Sequence, residues 1–220
     1  MFKHTYMFKH AIKNVIFPRG KVHPNYLKFI GWNFVSNVII STESVLSTHS
    51  MLSVVSGPQV SNELTMSVNY IGKDIIGQIG GLFILNTISH KADIDNESKH
   101  FIYLYTICQQ SATFLECATP LLPLYSFIPI AGLANIGKNI GFTGFGSINA
   151  KIINKLAQDN NIGEIYIKAT SINTFGSTIG MLLGLFIAAK IPDHTARMGI
   201  MPILCFLRVY SYNKAVKDLI

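Results

Sequence analysis

The stretch ATSINTFGSTIGMLLGLFIAA, Ala169 to Ala189, runs for 21 residues without a charged side chain. As a helix it would rise roughly 31 Å, enough to cross a hydrocarbon core of about 30 Å. A second uncharged run of 21 residues, Cys117 to Gly137, contains Pro120, Pro123 and Pro129. That pattern predicts a broken helix or a re-entrant pair of half-helices. Met66 to Ser89 is apolar except for Lys73 and Asp74. His100 to Leu115 is 16 residues long and crosses only if tilted or buried among neighbours. Met198 to Leu207 carries Pro202 and reaches the interface alone. Charged residues make up 13% of the chain, against about 25% in soluble domains, and mean hydropathy is +0.36. With so few charges a water-facing surface is hard to cover. The expected fold class is all-α, a polytopic membrane bundle of roughly four to six embedded helices with one proline-broken segment, and no alternating pattern argues for a sheet.

The chain divides into a basic arm over residues 1–23, a helical membrane domain over 24–210 and a short tail over 211–220. Lys3, Lys9, Lys13, Arg19, Lys21 and Lys28 precede the first acid, Glu43. Such an arm suits an anionic membrane face, a protein partner or an organellar import machinery. It has no base-reading motif or aromatic platforms, which argues against nucleic acid, and no apolar core for a secretory signal. Cys108, Cys117 and Cys205 lack metal or redox spacing and read as buried thiols.

Glycines recur at helix-packing intervals. Gly176, Gly180 and Gly184 share one face of the longest uncharged span, Gly77 and Gly80 another, and Gly137, Gly141 and Gly144 a third. Small residues at this spacing let backbones approach closely, the main route to helix association in lipid. GLANIGKN, Gly132 to Asn139, also satisfies most of a phosphate-binding P-loop. That motif needs a preceding strand and a hydroxyl after the lysine. Here Pro129 precedes it and Asn139 follows, so nucleotide binding is set aside.

The ordered landmarks resemble the root UV-B sensitive family. Phe17, Pro18, Gly20, Val22, Pro24, Asn25, Tyr26, Leu27, Phe29, Trp32 and Asn33 are similar to its entry signature, with asparagine at two family aspartates and phenylalanine at its second tyrosine. Lys73, Asp74, Gly77 and Gly80 follow, then Asp93 and Asp95, then Glu116 and Pro120, then Lys138, Gly144 and Ala150. Asn160, Asn161, Gly163, Glu164, Lys168, Ser171 and Thr174 complete the series. The resemblance is to a short member without the C-terminal soluble region of many relatives. It implies an organellar membrane protein without established catalysis, and plant members are associated with UV-B responses, vitamin B6 homeostasis and auxin transport.

Charges beside apolar spans mark the candidate site. An ionisable group at membrane depth faces the bundle interior and pairs, so Lys73, Asp74, Glu116 and Lys138 are expected to form a buried polar network. Glu164 and Lys168 suit a surface pair at i, i+4. Asp93, Asp95 and Glu97 lack the glycine and terminal glutamate of a calcium loop, and His49 has no positioned acid for a triad. No catalytic residue, cofactor or metal is expected. The function expected is that of a non-enzymatic scaffold or accessory subunit in the mitochondrial inner membrane (alternatively a plastid membrane), with lipids and other membrane subunits as partners. The alternative is a small-molecule carrier with a midplane polar site.

Overall fold

The computed structural model describes residues 16–57, 63–91, 93–94 and 96–220. Most of the basic arm, residues 1–15, and Asp95 lie outside them. Six long helices account for nearly all of the described chain: α1 Tyr26–Val55, α2 Glu63–Lys91, α3 Ser98–Ala118, α4 Phe127–Leu156, α5 Ile162–Lys190 and α6 His194–Val216. Among the described residues no β-strand forms, and one isolated bridge joins Val22 to Ala157. Two helices, α1 and α5, are long and apolar enough by length and composition to cross a membrane.

Prolines fix several boundaries. Pro120 falls in the first of two short 3₁₀ turns between α3 and α4, Pro123 immediately precedes the second, and Pro129 sits in the first turn of α4, where no intrahelical N–H bond is forfeited. The proline-rich run therefore joins two full helices instead of forming half-helices. Asp193 follows Pro192 and caps α6, its Oδ2 accepting from the Ala196 N–H at 2.7 Å. Pro202 lies inside α6 without ending it. The helix continues through the expected tail, with Tyr212, Ala215, Val216 and Leu219 in the core, so no structural boundary falls at 210. Met198–Leu207 forms the middle of this 23-residue helix.

Helix α1 is the hub. It packs on α5, α6 and α3, while α4 joins α3 and carries α2 on its far side. One end of the bundle is a large apolar cluster, built around Tyr26, Phe29, Tyr105, Ile152, Leu156 and Ile165. Smaller clusters, one around Leu46 and Met201 and one around Met51 and Phe127, fill the other end. Buried polar and charged side chains, among them Glu43, Glu116, Arg197 and Arg208, lie between and beside these clusters.

The glycine faces lie at the closest helix approaches. Gly176, Gly180 and Gly184 meet Phe34, Val38 and Val45 of α1. A Cβ at Gly180 would stand 2.2 Å from the Val38 carbonyl oxygen, and the Gly180 carbonyl accepts from Thr42 Oγ1 at 3.0 Å. Gly77 and Gly80 abut Asn135 and Ile136 of α4, and Gly137, Gly141 and Gly144 abut Cys108, Gln109 and Tyr105 of α3.

The segment ahead of α1 is strapped to the α4–α5 turn. Asn161 Nδ2 donates to the carbonyls of Arg19 and Lys21, and the Arg19 N–H reaches Glu164 at 2.9 Å. Gly20 has φ +79°, and a Cβ there would collide with Asp159. Asn160 makes the turn at φ 54°, a conformation asparagine tolerates. The stretches around Pro18 and Asn161 are thus halves of one junction. Beside it, Lys28 donates to Asp218 and holds that carboxyl below the usual carboxylate range.

Gly180→Ala is expected to destabilise the bundle by about 1–3 kcal/mol through overpacking. Gly31→Ala, where an added Cβ meets nothing within 4 Å, should be neutral or stabilising by up to about 1 kcal/mol. Thermal unfolding in detergent reads both. The Asp218 contribution is present above the unfolded carboxylate value and is lost as pH falls through the lowered folded one. Protection factors near Val216, the ratio of intrinsic to observed amide exchange, should therefore fall on acidification in the native chain but show no such step in Lys28→Met.

Candidate functional site

The buried face of α1 carries Asn33, Ser36, Glu43, Ser47 and Ser50, a polar stripe through the centre of the bundle. Ser36, Glu43 and Ser50 are seven residues apart, a spacing that keeps them on one face. Glu43 is fully buried. Its Oε2 accepts from Gln110 Nε2 at 3.1 Å, and Gln110 Oε1 in turn takes the Cys205 thiol at 3.1 Å. Lys138 and Arg208 act on the same carboxylate through space.

One turn of α1 further on, Lys138 of α4 forms an ion pair with Glu116 of α3, and its Nζ lies 3.4 Å from Ser47 Oγ. Glu116 is 1% exposed. A buried pair of this kind contributes little net stability, but breaking it strands a charge. Lys73 and Asp74 make a separate contact at 2.5 Å on α2. Lys73 is buried with its ammonium 4.2 Å from the Tyr70 ring centre, whereas the Asp74 side chain is 41% exposed. Asn135 donates to Asp74 Oδ1 at 2.9 Å and to the Lys73 carbonyl at 3.3 Å. The four expected charges are therefore two pairs, reached from α4 by Asn135 and Lys138, which are less than one turn apart. GLANIGKN lies wholly within α4, so its amides are committed to the helix and its lysine to Glu116.

Three charged residues absent from the sequence-based site complete the interior. Besides Glu43, Arg197 is 1% exposed and meets His49 Nδ1 at 2.6 Å, the Pro192 carbonyl at 2.8 Å and His194 Nδ1 at 3.2 Å. His49 thus serves a guanidinium. Arg208 is 6% exposed, with its guanidinium carbon 5.4 Å and 5.1 Å from the ring centres of Phe145 and Tyr212. It lines a cleft of about 380 Å³ between α1, α3, α4, α5 and α6, together with Asn33, Asn37, Asn149, Asn173 and Ser177. Asn33 Nδ2 donates across this cleft region to Asn173 Oδ1 at 3.1 Å. The seven-residue polar spacing on α1 was the available signal for Glu43. Arg208 gave none, being one basic residue in an aromatic stretch.

Among the described residues no group of three His, Cys, Asp or Glu side chains comes together to hold a metal. Asp93 instead closes a local turn, accepting from the Asn96 N–H at 3.2 Å and from Asn96 Nδ2 at 2.7 Å, which keeps its carboxyl below the usual range. Glu164 and Lys168 lie 3.6 Å apart at the start of α5.

Lys138→Met should cost about 3–5 kcal/mol by leaving Glu116 uncompensated, and Glu116→Leu combined with Lys138→Met should recover most of that loss. Unfolding of the single and double variants in detergent measures the coupling. Additive losses would show that the pair does not interact.

A family-wide sequence profile described as the vitamin B6 photo-protection and homoeostasis domain matches residues 3–220. Protein root UVB sensitive 3 of Arabidopsis thaliana is 24% identical over 222 residues, covering 97% of this chain and 50% of that protein. Protein root UVB sensitive 4 of the same plant is 24% identical over 197 residues, with 89% and 37% covered. RUS family member 1 of Dictyostelium discoideum is 22% identical over 193 residues, with 86% and 36% covered. The chain thus spans half or less of the length of these relatives. No solved structure matches it. With the profile running from residue 3 to the last residue, this all-helical chain belongs to the root UV-B sensitive family.

Proposed function

We propose that the chain is a polytopic membrane protein that takes a small polar solute into its interior, the carrier function first set out as the alternative to a scaffold. The observation that carries this reading is an inverted distribution of polarity. Glu43, Glu116, Lys73, Arg197 and Arg208 are all buried. Outside, Leu64, Val68, Ile71, Ile75, Ile79 and Leu82 form an exposed stripe along α2, and Phe175, Leu182 and Phe186 are exposed on α5. A water-soluble fold favours the reverse, because buried charges are costly and large apolar patches bind something. Lipid supplies the missing partner for the outside, and a solute pathway gives a reason for the inside.

The family description points to the chemistry of vitamin B6, so the solute is taken to be a substituted pyridine of that group. The protein acts on it by binding and release, without catalysis of its own. The acid-free basic sequence before Glu43 favours an organellar setting, with the mitochondrial inner membrane first. The α2 stripe also fits a neighbouring subunit's helix, which supports the scaffold reading as a second one.

Carbonate extraction of isolated mitochondria is expected to leave the protein in the membrane pellet, and its release to the supernatant would rule out both readings. On native gels in mild detergent a carrier should run as a monomer or small oligomer of its 24.3 kDa chain. Migration only with a much larger complex would favour the scaffold.

A further inference from the structure

We infer that the cleft beside Arg208 is an oxyanion site, so that the solute it takes is a small aromatic anion carrying a phosphate or carboxylate group. This rests on the solute-binding reading above and names the form of solute selected.

The guanidinium of Arg208 is almost wholly withdrawn from water, yet its Nε and Nη1 have no hydrogen-bond acceptor. A buried cationic donor left unpaired is costly, and buried polar groups are otherwise nearly always satisfied. The nearby acid does not fill the gap. Glu43 Oε2 is engaged by Gln110, and although Glu43 Oε1 is also buried without a partner, no hydrogen bond joins it to Arg208. Arg208 lines a cleft whose other polar lining residues are neutral amides and hydroxyls, including Asn37, Asn149, Asn173 and Ser177. Such groups hydrogen-bond an anion without competing for the guanidinium as an acid would. Phe145 and Tyr212 flank Arg208 at 5.4 Å and 5.1 Å, and Phe142, which is exposed, also lines the space and offers a ring face to a planar ligand. Arginine's planar fork matches phosphate and carboxylate oxygens better than a lysine point charge would.

One lining residue allows the cleft to be closed without touching Arg208. Gly146 lies on α4 at its edge, and an added Cβ there meets nothing within 4 Å. Gly146→Leu should fill the space while raising helix propensity.

The test uses the full chain in detergent, with inorganic phosphate, benzoate, pyridoxal 5′-phosphate and pyridoxal as probes in calorimetric and thermal-shift binding. Phosphate or benzoate, together with pyridoxal 5′-phosphate, should bind the native chain, with pyridoxal weaker by at least about tenfold. The benzoate and phosphate arms tell carboxylate from phosphate recognition. Arg208→Gln should lower affinity for the bound anion by about 10- to 100-fold, and Gly146→Leu should abolish it with unfolding temperature preserved. If Arg208→Gln does not fold, Gly146→Leu decides. Anion binding unchanged in either folded variant would overturn the site. Equal binding of pyridoxal and its phosphate, lost in Gly146→Leu, would overturn the anion inference and leave the solute reading standing. Failure of every probe to bind the native chain would overturn both.

Discussion

Helix α5 rests on α1 so closely that no side chain fits between them at Gly180, and this contact sets the position of everything else. The Val38 carbonyl occupies the space of the missing Cβ, and Thr42 hydrogen-bonds back to the Gly180 carbonyl. With α5 held flush against that side, α1 turns its opposite polar stripe toward α3, α4 and α6. Glu43 and Ser47 then meet Gln110 and Lys138 in the interior, where Glu43, Ser47 and Gln110 are buried and Lys138 is only partly exposed. The packing requires nothing of the helix exteriors, which are accordingly apolar over much of α2 and α5.

A polar stripe threaded among apolar clusters has a particular energetic character. Its members contribute little to net stability, because desolvation offsets most of their mutual attraction. They do fix register, since a slide of one helix by a turn would separate Glu116 from Lys138 and Gln110 from Glu43. The apolar clusters supply the driving force, and the stripe decides which arrangement they settle into.

Much of this architecture was legible in the sequence because it depends on spacing. Uncharged length predicts helices, and glycines four residues apart predict close faces. Proline marks a helix boundary at Pro120 and Pro123 but not at Pro202. Pro202 removes one backbone hydrogen bond from a 23-residue helix whose flanks are well packed, so α6 runs on to Val216. The interior charges were harder. Lys73, Asp74, Glu116 and Lys138 are visible as charges beside apolar runs, yet they divide into two pairs because Asp74 sits on the outer flank of α2. Arg208 was missed because burial of a lone arginine depends on five helices meeting around it, and no local pattern encodes that convergence.

The strap formed by residues 16–25 has a consequence for how the domain can be elaborated. It pins the chain entering α1 against the α4–α5 turn, and Lys28 ties the same end to Asp218. Both edges of the described domain therefore emerge on one face of the bundle. In relatives more than twice as long, segments attached before or after it would leave from that shared face and be neighbours in space, however far apart they are in sequence.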